Sequence, residues 1–258
     1  MIKNICFLLL LFIASTINAQ TVYVTNLTDD GTPGTLRWAI EQANDNALSI
    51  NEINFNAGLT GTITLTSNLP NISETLTITG PGTSVISVSG NNSWKMFVVN
   101  NSKILTVSGL TFENCDTSGS RDGSIFSVNR STVIASNIVV RNNTNSTPFY
   151  SKEGGTSLIS ITNSTFLNNS STLFKSDYGN TPSTTVDDTL YGNRIDVEGC
   201  TFSGNSGIIF NTQRFVKIDN CTFTSNTNML GYFGGLNRYQ IINSTFNNNT
   251  GSTLFRFS

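Results

Sequence analysis

The chain contains no histidine and few charged residues. Of its 258 residues, 12% are charged, and the formal net charge at pH 7 is −2. The absence of histidine removes the commonest general base, the commonest transition-metal ligand and any Ser–His or Cys–His nucleophile pair. A nearly neutral chain without a basic stripe also gives no electrostatic reason to bind nucleic acid. We therefore expect no nucleic-acid partner.

Long apolar runs are absent except at the N-terminus. Lys3 precedes an apolar stretch over residues 5–13, and small residues at 17–19 resemble a cleavage site. This pattern predicts a signal peptide over residues 1–19, with Gln20 beginning the mature chain. The stretch is about half the ~20 residues that a membrane helix needs. We therefore expect a secreted or cell-surface protein without a transmembrane segment.

Asn, Ser and Thr are abundant, and they occur in a six-fold repeat. Each copy carries an apolar anchor, and successive anchors are separated by 28, 26, 36, 21 and 23 residues. A loose period of this length is typical of a solenoid. The anchors are Phe112, Val140, Phe166, Phe202, Phe223 and Phe246.

Within each copy the apolar residues alternate, as Ile195, Val197, Cys200 and Phe202 do, which predicts strands. A second short strand follows most anchors after eight or nine residues, and no helix separates the strands. This succession predicts an all-β parallel β-helix in which equivalent side chains form interior columns. One column would contain the anchors, and its neighbour would contain Leu110, Ile138, Ser164, Cys200, Cys221 and Ser244.

A polar position recurs three residues after each anchor. It holds Cys115 in the first copy and Asn in the others. Asn tolerates left-handed turns, and stacked Asn amides can hydrogen-bond from coil to coil. We predict a structural ladder rather than a ligand site, with Cys115 at its N-terminal end. The ladder residues are Asn143, Asn169, Asn205, Asn226 and Asn249.

The front of the chain has a different pattern. Residues 35–44 place Leu36, Ala39, Ile40 and Ala43 on one helical face. The end of a solenoid exposes strand edges, so we expect this helix to act as a lid. The predicted organisation is a single domain over 20–258, with a cap region at 20–60 and coils at 61–258.

Three motifs succeed one another in this region: VTNLTDDGTPGTLRWAIEQAN, INFNAGLTGTITL and LTITGPGTSVISVSGNN. They resemble the N-terminal region of secreted bacterial right-handed parallel β-helix proteins, which pair a GSLR-x-AI-x-x-AN helix with a TITGPG turn. The later F-x-x-N repeats resemble those of polymorphic outer-membrane proteins and related adhesins. The resemblance implies a right-handed β-helix at the cell surface, mostly without an assigned reaction.

Members of that group continue into further coils and an anchoring or sorting module, whereas this chain stops within a repeat at Ser258. We therefore expect an open last coil or a truncated piece of a longer protein. An open coil exposes unpaired strand edges, which predicts end-to-end self-association.

Enzymes with this fold cleave polysaccharides, and they need paired carboxylates or carboxylates that hold calcium beside a basic residue. The repeat region has one adjacent acidic pair, Asp187 and Asp188. Asp196 and Asp219 are predicted to lie near each other on adjacent coils, with Lys217 close by. This group is interpreted as a solvated face rather than as a site.

The segment between Phe174 and Ile195 is about a dozen residues longer than in an ordinary coil, and we refer to residues 175–194 as the insertion loop. Loops that project from a rigid scaffold often bind ligands, although long neutral insertions are also tolerated, and the neutral interpretation is favoured. If a site exists, this loop would stack on a sugar or hold calcium. Otherwise no cofactor is expected. The candidate contact residues are Tyr178, Asp187, Asp188, Tyr191 and Arg194.

Cys200 and Cys221 fall one coil apart in the same predicted column. Stacked cysteines could reach the ~4.4–6.8 Å Cα separation of a disulfide. Buried free thiols that pack as small apolar groups are the favoured alternative.

The sequence favours a non-catalytic, adhesin-like β-helix that contacts glycans or other cell-surface molecules. The alternative is a polysaccharide lyase or glycoside hydrolase with its site near the insertion loop. The absence of histidine and the scarcity of acids count against an enzyme. A spacer within a longer adhesin is the third hypothesis.

Overall fold

The protein is a right-handed parallel β-helix with a single helix in the part described by our computed structural model. The structure describes residues 20–45, 47, 50–117, 123–152, 156–177, 192–234 and 239–257. The predicted signal peptide at 1–19 lies outside these ranges. Three sheets run along the coil axis, and each complete coil contributes one strand to each sheet.

Sheet 1 has nine strands, all pairing in parallel. They are β1 (Gln20–Val24), β2 (Ile50–Phe55), β4 (Leu76–Thr79), β7 (Ile104–Ser108), β10 (Thr132–Ser136), β13 (Leu158–Thr162), β16 (Arg194–Glu198), β19 (Phe215–Asp219) and β22 (Tyr239–Ile242).

Sheet 2 has eight strands and sheet 3 has seven, again all parallel. Sheet 2 contains β3 (Gly61–Thr64), β5 (Ile86–Ser89), β8 (Thr111–Glu113), β11 (Val139–Arg141), β14 (Thr165–Leu167), β17 (Thr201–Ser203), β20 (Thr222–Thr224) and β23 (Thr245–Asn247). Sheet 3 contains β6 (Phe97–Asn100), β9 (Gly123–Asn129), β12 (Thr147–Ser151), β15 (Phe174–Ser176), β18 (Phe210–Thr212), β21 (Gly231–Phe233) and β24 (Phe255–Phe257).

The predicted anchors occupy one interior column of sheet 2, each paired in register with the next. The rings of Phe166 and Phe202 are stacked with centroids 4.6 Å apart and planes 9° apart. Phe202 and Phe223 repeat this arrangement at 4.6 Å and 5°. The regular step confirms that successive coils are superposed along a common axis. Ile63 and Val88 extend the column toward the N-terminus.

The corners between sheets depend on residues with left-handed backbone. Asn and Gly at the corner from sheet 1 to sheet 2 have φ between 50° and 66°: Gly109, Asn137, Asn163, Gly199, Asn220 and Asn243. A second left-handed column lies after sheet 2 at Asn114, Asn142, Asn168, Gly204, Ser225 and Asn248. Such residues tolerate this region because their side chains are absent or can bond locally.

The second left-handed column corrects one expectation. The left-handed residue is the one before each ladder Asn, not the ladder Asn itself. The reason is geometric: the left-handed residue bends the chain from sheet 2 toward sheet 3, and the next side chain then points into the coil. Asn143, for example, is fully buried, whereas Asn142 before it has φ 57°.

Helix α1 (Leu36–Asn44) contacts β1 and β2 at one end of sheet 1. Thr35 caps its N-terminus, accepting a hydrogen bond at Oγ1 from the Trp38 amide at 3.2 Å. Its buried face consists of Leu36, Ala39, Ile40 and Ala43, as the sequence predicts. Its action as a lid stays a prediction. Within the described ranges, no helix is both long and apolar enough to cross a membrane.

Candidate functional site

The ladder residues form a continuous hydrogen-bonded column inside the corner after sheet 2. Asn205 is fully buried, and its Nδ2 donates to Phe166 O and to Asn226 Oδ1, both at 3.0 Å. Its Oδ1 accepts from the backbone N and the Nδ2 of Asn169, at 3.0 and 2.9 Å. Both donors and both acceptor positions of this amide are therefore occupied.

The same pattern continues on either side. Nδ2 of Asn143 donates to Asn169 at 2.9 Å, and that of Asn226 donates to Asn249 at 2.9 Å. At the N-terminal end, the backbone N of Cys115 donates to Asn143 Oδ1 at 2.9 Å. Because the buried amides satisfy one another, this column offers no polar atoms to a ligand.

Two acidic residues of sheet 1, Asp196 and Asp219, are paired with cations. Asp196 is opposite Lys217, whereas Asp219 is opposite Glu198. The two aspartates therefore lie on adjacent strands, offset by two residues, with Lys217 close to both, as the sequence predicts. Arg194 Nε lies 2.7 Å from an Asp196 oxygen, and Lys217 Nζ lies 3.0 Å from Asp219.

The ion pair between Lys217 and Asp219 shifts the pKa of both residues. The hydrogen bond from Lys217 lowers the pKa of Asp219, with a further contribution from Asn243, and the same contact raises the pKa of Lys217. Opposite charges in contact favour the ionised form of both groups. Lys217 and Asp219 therefore form a surface ion pair, and Asp219 does not have the raised pKa of a general acid.

Most of the predicted contact residues of the insertion loop lie outside the described ranges: Tyr178, Asp187, Asp188 and Tyr191. Arg194 lies at the start of β16, with its guanidinium 4.6 Å from the centroid of the Phe215 ring. The structure also shows how the loop ends are joined. Asn193 is buried, and its Nδ2 donates to Lys152 O at 3.0 Å and Asp177 O at 3.1 Å. The two ends of the loop are therefore held together by one amide.

The outer surface of sheet 2 carries an uncharged array, which we call the threonine face. Four threonines occupy the same outward position on consecutive strands, and a second outward column runs beside them. The first column is Thr165, Thr201, Thr222 and Thr245, and the second is Leu167, Ser203, Thr224 and Asn247. Sequence reasoning missed this face, although each threonine directly precedes a phenylalanine anchor.

The outer surface of sheet 3 carries a second column, of rings, amide and cations. Tyr150, Lys175, Asn211, Tyr232 and Arg256 are paired in register on consecutive strands. Tyr150, at the N-terminal end of the column, is buried, and the other four are partly or fully exposed. Lys175 Nζ lies 5.2 Å from the centroid of the Tyr150 ring, and the Arg256 guanidinium lies 5.7 Å from that of Tyr232. We call this set the sheet 3 column. Sequence reasoning did not find it, because these strands are too short to show a clear alternation.

The three described cysteines are buried free thiols, which confirms the favoured interpretation of Cys200 and Cys221. The contact with Cys221, together with burial, raises the pKa of Cys200. Burial raises the pKa of Cys115 to about 12. The contact with Cys200 lowers the pKa of Cys221. Cys115 and Cys200, whose ionisation is suppressed, are therefore poor nucleophiles and metal ligands. Within the described ranges, no group of three or more acids or cysteines gathers in a metal-binding arrangement.

No protein-family model matches the chain. No curated protein matches it either. Among solved structures, a PL6 family alginate lyase is similar over 92% of this chain and 39% of its own length, with 12% identity and a TM-score of 0.46. ORF18 of Geobacillus virus E2 gives 15% identity over 92% of this chain and 61% of its own, with a TM-score of 0.39.

The A-module of a mannuronan C-5 epimerase from Azotobacter vinelandii is similar at 12% identity, over 86% of this chain and 76% of its own, with a TM-score of 0.31. The chain thus spans about two fifths of the length of the lyase structure. Likenesses with such low TM-scores do not indicate a function, so the function has to be inferred from the geometry of this chain alone.

Proposed function

We propose that this chain is a non-catalytic, exported β-helix scaffold that contacts glycans at a cell surface. The observation that carries the proposal is the threonine face. It presents hydroxyl and amide groups at a fixed repeat, and that repeat is set by the 4.6 Å step of the phenylalanine stack beneath it. A polysaccharide is itself a regular array of hydroxyl groups, so one contact can recur along both partners.

The binding would depend on number rather than on individual strength. A hydrogen bond between neutral groups contributes about 0.5–1.5 kcal/mol after exchange with water. Thr222 and Thr245 are exposed, and Thr165 and Thr201 are half-buried, so the hydroxyls are accessible without rearrangement. The rigid sheet holds them in place, which lowers the entropy cost of binding. Several weak contacts in register then give useful affinity through multivalency.

The charges nearby favour binding over cleavage. Glycoside hydrolysis needs two carboxyl groups on either side of the bond, one of them with a raised pKa. On the threonine face no position is acidic, and Asp196 and Asp219 on sheet 1 are paired with Arg194 and Lys217. Export and cell-surface location are part of the proposal, supported by the sequence pattern of residues 1–19.

The test compares two faces that carry the same side chains. Residues 20–258 would be purified and run by affinity electrophoresis through gels containing neutral polysaccharides such as xylan, mixed-linkage glucan and galactomannan. The variant Thr201→Ala/Thr222→Ala removes two stacked hydroxyls from the threonine face. The control Thr77→Ala/Thr106→Ala removes two stacked threonines from sheet 1, where they pair in adjacent strands.

We expect at least one neutral polysaccharide to retard the wild type. The threonine-face variant should bind it about three- to tenfold more weakly, and the sheet 1 control should bind like the wild type. Equal behaviour of the two variants, or no retardation of the wild type by any polymer, would contradict the proposal.

The alternative, a polysaccharide lyase or hydrolase, has its candidate residues on the insertion loop. Asp187 and Asp188 would supply the carboxylates or hold calcium, as the sequence suggests. The same polymers, together with uronate polymers, would be incubated with the protein in calcium and in a chelator, and new reducing or unsaturated ends would be measured. Cleavage that Asp187→Ala or Asp188→Ala abolishes would replace the scaffold proposal with this one.

A further inference from the structure

We propose that the sheet 3 column is a second binding surface, specific for carboxylated polysaccharides. The inference rests on the proposed contact with glycans and adds a chemical class and a location that the threonine face does not provide. Its occupant would be an extended polymer that carries carboxylates at regular intervals and lies along the coil axis.

The column is continuous across consecutive coils. Lys175, Asn211, Tyr232 and Arg256 succeed one another on neighbouring strands, each directly opposite the next. Three steps of ~4.8 Å separate the first residue from the last, a span of about 14 Å. A polymer could therefore contact a cation at each end of the column and an amide and a ring between them.

The rings hold the cations in place without using their hydrogen bonds. Arg256 stacks 5.7 Å from the centroid of Tyr232, which restricts the guanidinium through the ring face. A stacked guanidinium keeps its N–H groups along its edge, where they can form a two-point contact with a carboxylate. Arg256 is exposed, and Tyr232 and Asn211 are partly exposed, so a ligand can reach all three.

The local charge distribution distinguishes this column from sheet 1. On sheet 1, Arg194 and Lys217 each pair with an acid two residues further along the same strand. In the sheet 3 column itself no residue is acidic, and among the residues that the structure describes Arg256 has no carboxylate partner.

Among the described residues, Lys175 has one acid nearby, Asp177, whose carboxylate lies 3.7 Å from its Nζ and accepts a hydrogen bond from the Tyr150 hydroxyl. The column therefore has an excess of positive charge on a chain whose net charge is −2. That excess is largest at the Arg256 end. Complementary charge of this kind selects an anionic ligand and disfavours a cationic one.

The test uses polymers that differ only in charge. Binding of purified residues 20–258 to polygalacturonate and to its fully methyl-esterified form would be measured by affinity electrophoresis at low and at physiological salt. The variant Lys175→Gln/Arg256→Gln removes both cations of the column. The matched control Lys217→Gln/Arg141→Gln removes one lysine and one arginine from sheets 1 and 2, so both variants have the same net charge.

We expect the wild type to bind polygalacturonate at least about tenfold more tightly than the ester, with weaker binding at higher salt. The column variant should lose about tenfold in affinity for polygalacturonate, and the control less than about twofold. A third variant, Tyr232→Leu, should weaken binding while keeping both charges, because the ring no longer orients Arg256. Circular dichroism would establish that each variant is folded.

The outcomes separate this inference from the proposed function. Equal losses in the column variant and the control would mean that net charge alone attracts the polymer, which would overturn the inference. Binding of neutral polysaccharides without preference for polygalacturonate over its ester would overturn it too, and would leave the glycan scaffold intact. If no polysaccharide binds, both proposals fail.

Discussion

The N-terminal region and the last four coils are held together in different ways. From β13 to β23, each coil repeats the same three features: a phenylalanine in the stack, an Asn of the ladder at the corner after sheet 2, and an outward threonine on sheet 2. Residues 20–66 share none of these columns except the apolar interior. There a single carboxylate, Asp29, connects the segment before α1 to the first coil.

The difference teaches how solenoid coils acquire stability. In the repeating coils each contact is made only with the coil above and the coil below, so stability is a sum of neighbour terms. In the N-terminal region, by contrast, the carboxylate of Asp29 bonds to several segments of the chain. Asp29 is buried, and it accepts hydrogen bonds from Arg37 Nε at 3.0 Å and Nη2 at 2.7 Å, and from the Thr66 amide at 2.7 Å.

The largest expected effect is the removal of this carboxylate. Asp29→Ala leaves the Arg37 guanidinium, which is only 12% exposed, without its counter-charge, and leaves the Thr66 amide without an acceptor. Breaking a buried ion pair by removing one partner costs about 3–5 kcal/mol. Urea unfolding followed by circular dichroism would measure the loss. The control Asp30→Ala removes an exposed acid that bonds within its own turn, chiefly to Thr32, and should leave the unfolding free energy almost unchanged. Similar losses in both variants would remove the contrast between the two regions.

The second prediction concerns the middle and the end of the ladder. Asn205→Ala leaves buried partners in two neighbouring coils unsatisfied, which should cost about 2–4 kcal/mol. Asn249→Ala removes a similar set of bonds from a partly exposed site, where water can replace them, so about 1 kcal/mol is expected. Chemical denaturation of the two variants gives the comparison. If Asn249→Ala lowers the unfolding free energy as much as Asn205→Ala does, hydrogen bonding between buried amides is not what stabilises the repeating coils.

The smallest effect is expected at Cys115, which lies between the two regions, at the N-terminal end of the ladder. Burial raises the pKa of this thiol from its ordinary value of 9.0 to about 12. The unfolded chain therefore releases the proton first, and the contribution to stability, complete below about pH 9, is lost as the pH rises toward 12. The unfolding free energy of the wild type should fall relative to that of Cys115→Ala between about pH 8 and pH 10.5. Parallel pH dependence in the two proteins would mean that the thiol ionises as readily in the fold as outside it.

The repeating coils were predictable from the sequence because their side chains recur at corresponding positions. The phenylalanine anchors and the Asn three residues later occupy equivalent positions in each copy, so a column could be inferred before any pairing was known. The helix was predictable from the periodicity of Leu36, Ala39, Ile40 and Ala43.

The register of the sheet 1 charges follows from the same columns, because stacking Cys200 on Cys221 places Asp196 opposite Lys217, as the structure shows. The ion pairs were not predictable in this way, because Arg194 and Lys217 each bond an acid of their own strand through side-chain conformations that no sequence period fixes. Asp29 escaped notice because it belongs to no repeat. The sheet 3 column was hidden because each of its strands from β15 onward has only three residues.

The sequence by itself determined that the chain winds into stacked coils with a phenylalanine column and an amide column inside. The reason is that apolar alternation and the repeated Phe and Asn positions are present in the sequence of nearly every copy. Only the tertiary structure decided the outward neighbours on sheet 3, where tyrosine lies beside lysine or arginine. The physical reason is that interior columns are selected by burial, which leaves a pattern in the sequence and fixes the register of sheet 2, with threonine beside threonine on its outer face. The residues of the sheet 3 column follow their anchors by nine positions in three coils and by ten in the other two, so the sequence repeat does not fix the register there.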